Sequence, residues 1–265
     1  MDFIEIEEYI SIRSCYWLLQ LLKGDNKIVG LLEYKMDGHV AILTMTEGEN
    51  RFNKEFFAEM DRILDDIENE TEAKILVVAS AHEKIWCNGI DLNWLMPLSK
   101  NDPEEAKKFP YKLTSLFKRF LYFPMITVAA INGHAFAGGA ILASAMDFRF
   151  MRKERGYFCI PEVDIKIPLS PSMIGIMRKA VPKYKFLEMQ YLGIRLTAED
   201  CEKHNIITKA CGGGNLMEEV LTFARAHKKD REVISSMKEL TYKEMEKLFT
   251  VDDPIWFSSG RTGIN

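Results

Sequence analysis

Two short, almost unbroken apolar runs, AKILVVAS (residues 73–80) and PMITVAAI (residues 124–131), most constrain how this chain can fold. A strand that alternates in character leaves one face in water. A run this continuous needs cover on both faces, as in a parallel sheet layered between helices. The flanking segments supply such cover. In NKEFFAEMDRILDDIENE the apolar residues Phe56, Phe57, Met60, Ile63, Leu64 and Ile67 recur at helical spacing. Asp102 to Tyr122 reads as a second, more polar helical stretch.

DGHVAILTM (residues 37–45) is a turn followed by a β-rich run, and DFRFM (residues 147–151) is a further strand after a short helix. Strand and helix in alternation imply right-handed βαβ crossovers and a mostly parallel α/β sheet. From Ser172 onward the pattern is helical, ending in the amphipathic run Arg231 to Phe249, so the C-terminal third is expected to form a helical layer or arm. No internal repeat or low-complexity segment interrupts the pattern. A dinucleotide-binding domain needs GxGxxG directly after its first strand. Here that strand leads into TEGENRFN, which argues against one.

With 265 residues, 47% of them hydrophobic, the chain has material for a sizeable core, and its net charge of −4 argues against nucleic acid as a partner. Five scattered cysteines (Cys15, Cys87, Cys159, Cys201, Cys211) form no CxxC pair and have no histidine at ligand spacing. They read as reduced thiols of a cytoplasmic protein, with no metal centre. The acidic residues Asp2, Glu5, Glu7 and Glu8 oppose a signal peptide or mitochondrial presequence. The apolar run Tyr16 to Leu22 is too short to insert through a membrane, and the terminal RTGIN is no peroxisomal address.

Chemistry concentrates in three places. Two are glycine-bearing junctions: NGIDLNWL (residues 88–95) after the first apolar run, and GHAFAGGAILASAMD (residues 133–147) after the second. Gly138 and Gly139 lie at the start of an Ala-rich helix, where backbone N–H groups lack intrahelical acceptors and carry partial positive charge. Two readings stand for such a pair: a tight turn with close helix packing, or a backbone kept bare so that a ligand can approach. If the two strands are neighbours, the two junctions face one another, and one N–H from each makes a two-donor oxyanion hole. The third place is FCIPEVDIKIPLSPS (residues 158–172), where Glu162 stands in an otherwise apolar, proline-bracketed run. Either it caps a strand end towards water, or apolar surroundings raise its pKa towards the range useful for proton transfer.

In their order and spacing, NGIDLNWL, PMITVAAINGHAFAGGAILASAMDFRFM and IPEVDIKIP resemble the crotonase (enoyl-CoA hydratase/isomerase) superfamily, over roughly Leu31 to Ala210. The resemblance implies a crotonase-like fold of repeated ββα/βαβ units with a C-terminal helical region. It divides the chain into an N-terminal extension of unknown role (1–26), a core (27–210) and a helical region for trimerisation and CoA covering (211–265). It further implies an acyl-CoA substrate, coenzyme A being part of that substrate, with no metal or redox cofactor, and a homo-oligomer, a trimer or a dimer of trimers. The thioester oxygen would be held by the amides of Ile90 and Gly138. Gly89, Asp91, Leu92, Asn93, Gly139 and Ile141 would surround substrate and CoA.

Hydratases of that family carry two glutamates. The first position matches Ile141, which cannot carry a proton, and the second matches Glu162. That pattern resembles the Δ3,Δ2-enoyl-CoA isomerases, which shift a double bond with one carboxylate. NGHA and EVDI look like the same branch. Dienoyl-CoA isomerases carry a further carboxylate where this chain has Ser170. The alternatives are another crotonase reaction, hydration or thioester hydrolysis, and a non-catalytic acyl-CoA-binding paralogue.

Other residues have a plainer expectation. His134 reads as a histidine satisfied by backbone, Asp147 as structural, and Cys87 and Trp94 as pocket-shaping. Asp164 either tunes Glu162 or is a second proton carrier. Lys238, Lys243 and Lys247 read as a solvated helical face, from which one could reach the CoA phosphates.

Overall fold

The structure is a computed structural model that describes residues 30–212 and 214–260. The extension expected over residues 1–26, with Cys15, lies outside the described residues. Packing contacts divide the chain between Gly30 and Leu31, and the fold is that of the unit from Leu31 onward.

The main sheet has six strands in the order β1-β2-β3-β5-β7-β9: β1 (Leu32–Asp37), β2 (Val40–Met45), β3 (Ile75–Ser80), β5 (Ile126–Ile131), β7 (Phe148–Arg152) and β9 (Lys209–Cys211). The two apolar runs are β3 and β5, adjacent and parallel at its centre, with Val77 opposite Val128. Both faces of β3 are covered, as its composition demands. Leu76 and Val78 join one apolar cluster with Phe56, Met60 and Leu113, while Ile75 and Val77 join another with Val220 and Ala224.

Twelve helices are described. α1 (Lys54–Glu70), α2 (Leu92–Asn101), α3 (Pro103–Ala106) and α4 (Phe109–Leu121) precede β5. α5 (Gly138–Ala145) and α6 (Glu162–Ile165) carry the sequence features singled out above. α7 (Pro171–Ala180), α8 (Lys183–Leu192) and α9 (Ala198–Lys203) precede β9. α10 (Leu216–Ala226), α11 (Arg231–Thr241) and α12 (Asp253–Ser258) complete the chain, with a π turn at Leu248–Asp252 before α12. α1 starts where periodicity places it, its N-cap Asn53 Oδ1 accepting from Phe56 N at 2.9 Å. None of the described helices is long and apolar enough to cross a membrane.

Three features depart from the sequence expectation. β1 pairs antiparallel with β2 and forms the sheet edge. Its sequence LEYKMD is largely polar and half-exposed, so it carries little strand signal. β9 extends the sheet beside β7 in the region expected to lack strands, and three residues are too few to show a period. The expected division at 210/211 therefore runs through a strand, and α10 beyond it buries Leu216, Val220, Leu221 and Ala224 against the sheet. The third departure is a separate small sheet of β4 (Ile85–Cys87), β6 (His134–Phe136) and β8 (Phe158–Cys159), all parallel.

Lys238 also differs from expectation. It is 7% exposed, not solvated, and its Nζ pairs with Asp147 Oδ2 at 2.7 Å while donating to the carbonyls of Phe123 and Met125. Asp147 also accepts from the N–H and hydroxyl of Thr127, the structural role expected of it. Lys243 and Lys247 are exposed.

Candidate active site

The small sheet assembles the site. Because β4, β6 and β8 are parallel, their C-terminal ends face one way, where ligands of α/β sheets usually sit. β4 leads into Asn88–Asp91, β6 into Ala137 and the start of α5, and β8 into Ile160–Glu162. The three places marked in the sequence are thus consecutive strand ends of one sheet. The glycine junctions follow these short strands, not β3 and β5 directly.

The two glycine junctions touch. A Cβ on Gly89, whose φ is +70°, would fall 2.6 Å from the Gly138 nitrogen. Gly139 packs against the Cys87 carbonyl with no room for a side chain. Gly138 and Gly139 are the first two residues of α5, and no side chain among the described residues caps that helix start. The preceding residue, Ala137, has φ +52° and ψ −127°, a conformation rare outside glycine. At the other end of α5 side chains take the carbonyls: Lys179 Nζ donates to Ser144, Ala145 and Met146, and Arg149 to Ala143 and Met146. The unsatisfied end of this helix is therefore the end that meets Gly89.

A bracket with no local sequence signature holds the Gly89–Asp91 turn. Phe52 N donates to the Gly89 carbonyl at 2.7 Å and the Phe52 carbonyl accepts from Asp91 N at 3.1 Å, so the Ile90 N–H between them is left over. Neither Ile90 N–H nor Gly138 N–H donates to any acceptor among the described residues. Asn50, φ +53° and buried, donates to Ser80 Oγ and the Trp86 carbonyl and accepts from Cys87 Sγ. Glu49 takes Asn88 by backbone and side chain, and Arg51 reaches the Ile90 carbonyl at 3.3 Å. All of this comes from TEGENRFN, read in the sequence only as the absence of a glycine motif.

Two cavities meet at Glu162. The first is apolar, walled by Phe109, Leu113, Ile141, Met173, Trp256 and Phe257, and opens to Ile90, Gly138 and Glu162. The second holds Arg51, Asn88, Leu92 and Phe136 and shares Ile90, Glu162 and Ile167 with the first. Glu162 Oε2 and Asn88 Oδ1 are both buried without a hydrogen-bond partner among the described residues. Burial pushes the Glu162 carboxyl from an ordinary value of 4.5 up to about 7, opposed only by its own backbone N–H. A carboxyl whose pKa burial raises towards neutrality, facing an apolar cavity beside two spare N–H donors, can move a proton next to a carbonyl whose oxygen gains charge.

The remaining expected residues separate by position. Asp91 Oδ1 accepts from Trp94 N at 3.2 Å as the N-cap of α2, and Leu92 lines the second cavity. Asn93 is exposed and lines neither cavity. Cys87 is buried, its thiol pushed up to about 12 by that burial, and the Trp94 ring packs tilted against Phe109 at 5.7 Å. His134 stacks on Tyr157 and accepts from Tyr157 N through Nδ1, with burial lowering its pKa; it lines neither cavity. Asp164 is exposed and lies against Gly193, away from both cavities. The four described cysteines are free and buried.

Comparison with known proteins agrees with this architecture. Residues 35–250 match the enoyl-CoA hydratase/isomerase family. The chain is 26% identical to enoyl-CoA delta isomerase 3 of Arabidopsis thaliana over 215 residues, 78% of this chain and 90% of that one. It is 32% identical to the peroxisomal enoyl-CoA delta isomerase 2 of the same plant over 149 residues, 54% of this chain and 61% of the relative. An enoyl-CoA hydratase/isomerase family protein from Pseudomonas syringae superposes with a TM-score of 0.77 at 21% identity, covering 89% of this chain and 98% of the other, which is a likeness of fold.

Proposed function

The chain belongs to the enoyl-CoA hydratase/isomerase family, and on that premise we propose that it isomerises 3-enoyl-CoA to 2-enoyl-CoA. The observation that carries this reading is that Glu162 is the one ionisable side chain among the described residues that line the apolar cavity, with Ile141 on the same wall. Hydration must activate water and also protonate the α-carbon, work usually shared by two acid/base groups. A 1,3-proton shift needs one.

In the proposed reaction Glu162 takes a proton from C2 of the bound thioester. The electron pair moves into the C1 carbonyl, and the oxygen, now negative, receives the Ile90 and Gly138 N–H groups. Protonated Glu162 then returns the proton to C4, leaving the double bond between C2 and C3. Each backbone donor of this kind is worth roughly 10²–10³ in rate, and the positioned carboxylate roughly 10²–10⁴. Gly89, Leu92 and Asn88 would border the thioester and CoA side, with Gly139 as packing support. Asp91 would act through its cap on α2. No metal or redox cofactor takes part in this scheme.

A homo-oligomer, a trimer or a dimer of trimers, belongs to the same reading. Its support is the set of apolar side chains left outward on α8 and α11: Tyr191, Leu192, Met237 and Leu240 are each more than half exposed. A cytoplasmic location rests on the unpaired thiols alone.

The test supplies 3-enoyl-CoA and 2-enoyl-CoA separately to the parent and to Glu162→Gln. Conjugated enoyl product from the first substrate, lost by orders of magnitude in the variant, is expected. Hydroxyacyl product from 2-enoyl-CoA, formed faster than isomerisation, overturns the assignment in favour of hydration.

A further inference from the structure

The far wall of the apolar cavity comes from α12. Trp256 and Phe257 are half-buried there, across from Phe109 and Leu113 of α4, while Ile255 on the opposite side of the same helix is 64% exposed. We propose that α12 sets the length of acyl chain this site accepts, with Trp256 and Phe257 as specificity-determining residues and Asp253 as the residue that positions them. This rests on the acyl-CoA reading above and deepens it.

The wall is anchored, not merely adjacent. Asp253 is 1% exposed, and its carboxylate accepts from Ser172 N at 2.9 Å and from the Ser172 hydroxyl. Ser172 Oγ lies 3.3 Å from Ser170 Oγ, and Ser170 itself lines the cavity. A buried carboxylate with no cation beside it among the described residues is tolerable when its oxygens are hydrogen-bonded and it lies against the N-terminus of a helix, here the first turn of α7. Eighty-one positions separate the two partners in sequence, so this contact ties the end of the chain to the rim of the cavity.

Further contacts fix the segment before and after Asp253. The π turn lies flush on α7, where a Cβ at Gly175 would fall 2.5 Å from Leu248 Cδ1. Glu246 pairs with Lys118 of α4 at 2.6 Å, and the Phe257 ring meets Tyr111 edge to face at 4.9 Å. Two helices, α4 and α7, thus hold the wall from either side. An acyl chain that reaches it must stop or displace several contacts at once. Up to that point each added methylene leaves water for an apolar surface, worth roughly fourfold in affinity. Beyond it, the gain ends.

The experiment titrates the full chain with saturated acyl-CoA thioesters from butanoyl to hexadecanoyl by calorimetry. These cannot isomerise, so binding is read independently of turnover. The parent is expected to tighten roughly fourfold per carbon and then level off. In Trp256→Ala and Phe257→Ala the plateau moves to chains at least two carbons longer, and in Ile255→Ala it stays. If either alanine variant fails to fold, Trp256→Leu and Phe257→Leu replace them. Asp253→Asn is expected to lose the sharp plateau while still binding butanoyl-CoA. Plateaus that remain at the parent's length in every folded Trp256 and Phe257 variant overturn the proposal. Length-limited binding with no isomerisation of any 3-enoyl-CoA supports it and sinks the isomerase reading alone. No acyl-CoA binding at all sinks both.

Discussion

Gly89 and Gly138 stand back to back, so close that a methyl group on Gly89 would lie 2.6 Å from the Gly138 nitrogen. The contact joins the end of β4 to the start of α5 and places the spare N–H groups of Ile90 and Gly138 in one neighbourhood. Backbone can approach backbone this closely only without a Cβ, and the φ of +70° at Gly89 adds a second reason for glycine.

Gly89→Ala tests that neighbourhood. The added methyl must push the two amides apart, so kcat on 3-enoyl-CoA is expected to fall by roughly 10²–10³, with the far-ultraviolet circular dichroism unchanged. A parent-like kcat would show that the two amides do not act together.

The pH profile follows from Glu162. Its carboxyl, raised to about 7 by burial, acts as a base only when ionised. Parent kcat/KM should therefore rise with pH and bend near 7. Glu162→Gln should show low activity with no bend, whereas a parent bend near 4.5 would mean that the carboxyl titrates as if in water.

The same shift has a cost in stability. Glu162 holds its proton more tightly folded than unfolded, so the folded state loses stability as pH rises from the ordinary 4.5 through about 7. Gln at this position has no charge to bury. Chemical denaturation should show Glu162→Gln level with the parent at the acid end and more stable above pH 7, by about 3 kcal/mol at most. A gap that does not change with pH would count against a buried, ionising carboxyl.

Ala137 holds φ +52° and ψ −127° directly before the helix start. Backbone strain of this kind costs roughly 1–3 kcal/mol in a residue with a Cβ. Ala137→Gly is expected to raise stability by about 1 kcal/mol, read as a higher denaturation midpoint at an unchanged slope. A lower midpoint would mean that the surrounding contacts, not strain, dominate at Ala137.

The pair Lys238–Asp147 stitches α11 to the end of α5 inside the protein. Lys238→Met removes the cation beside Asp147, which keeps only its Thr127 donors, and takes the Lys238 donor from the carbonyls of Phe123 and Met125. A loss of roughly 3–5 kcal/mol is expected from such an uncompensated buried group. The double variant with Asp147→Asn should cost less than the sum of the two single changes.

What the chain's own residues determined was local. Continuous apolar runs required buried parallel strands, helical spacing of Phe56 to Ile67 required α1, and glycines beside an Ala-rich stretch required a helix start with bare amides. The presence of Glu162 and of Ile141 was equally legible, because a carboxylate and an aliphatic side chain differ in what they can carry.

The tertiary structure decided how those parts meet. β4, β6 and β8 have three, three and two residues, too few to show any period, yet their parallel pairing is what brings Ile90, Gly138 and Glu162 to one edge. The bracket from Glu49 to Phe52 acts through main-chain bonds to residues nearly forty positions away, which no local pattern encodes. Lys238 looked like one of several surface lysines until Asp147 and two carbonyls surrounded it. Periodicity and composition report on nearest neighbours along the chain, whereas burial, pKa and backbone contact depend on neighbours in space.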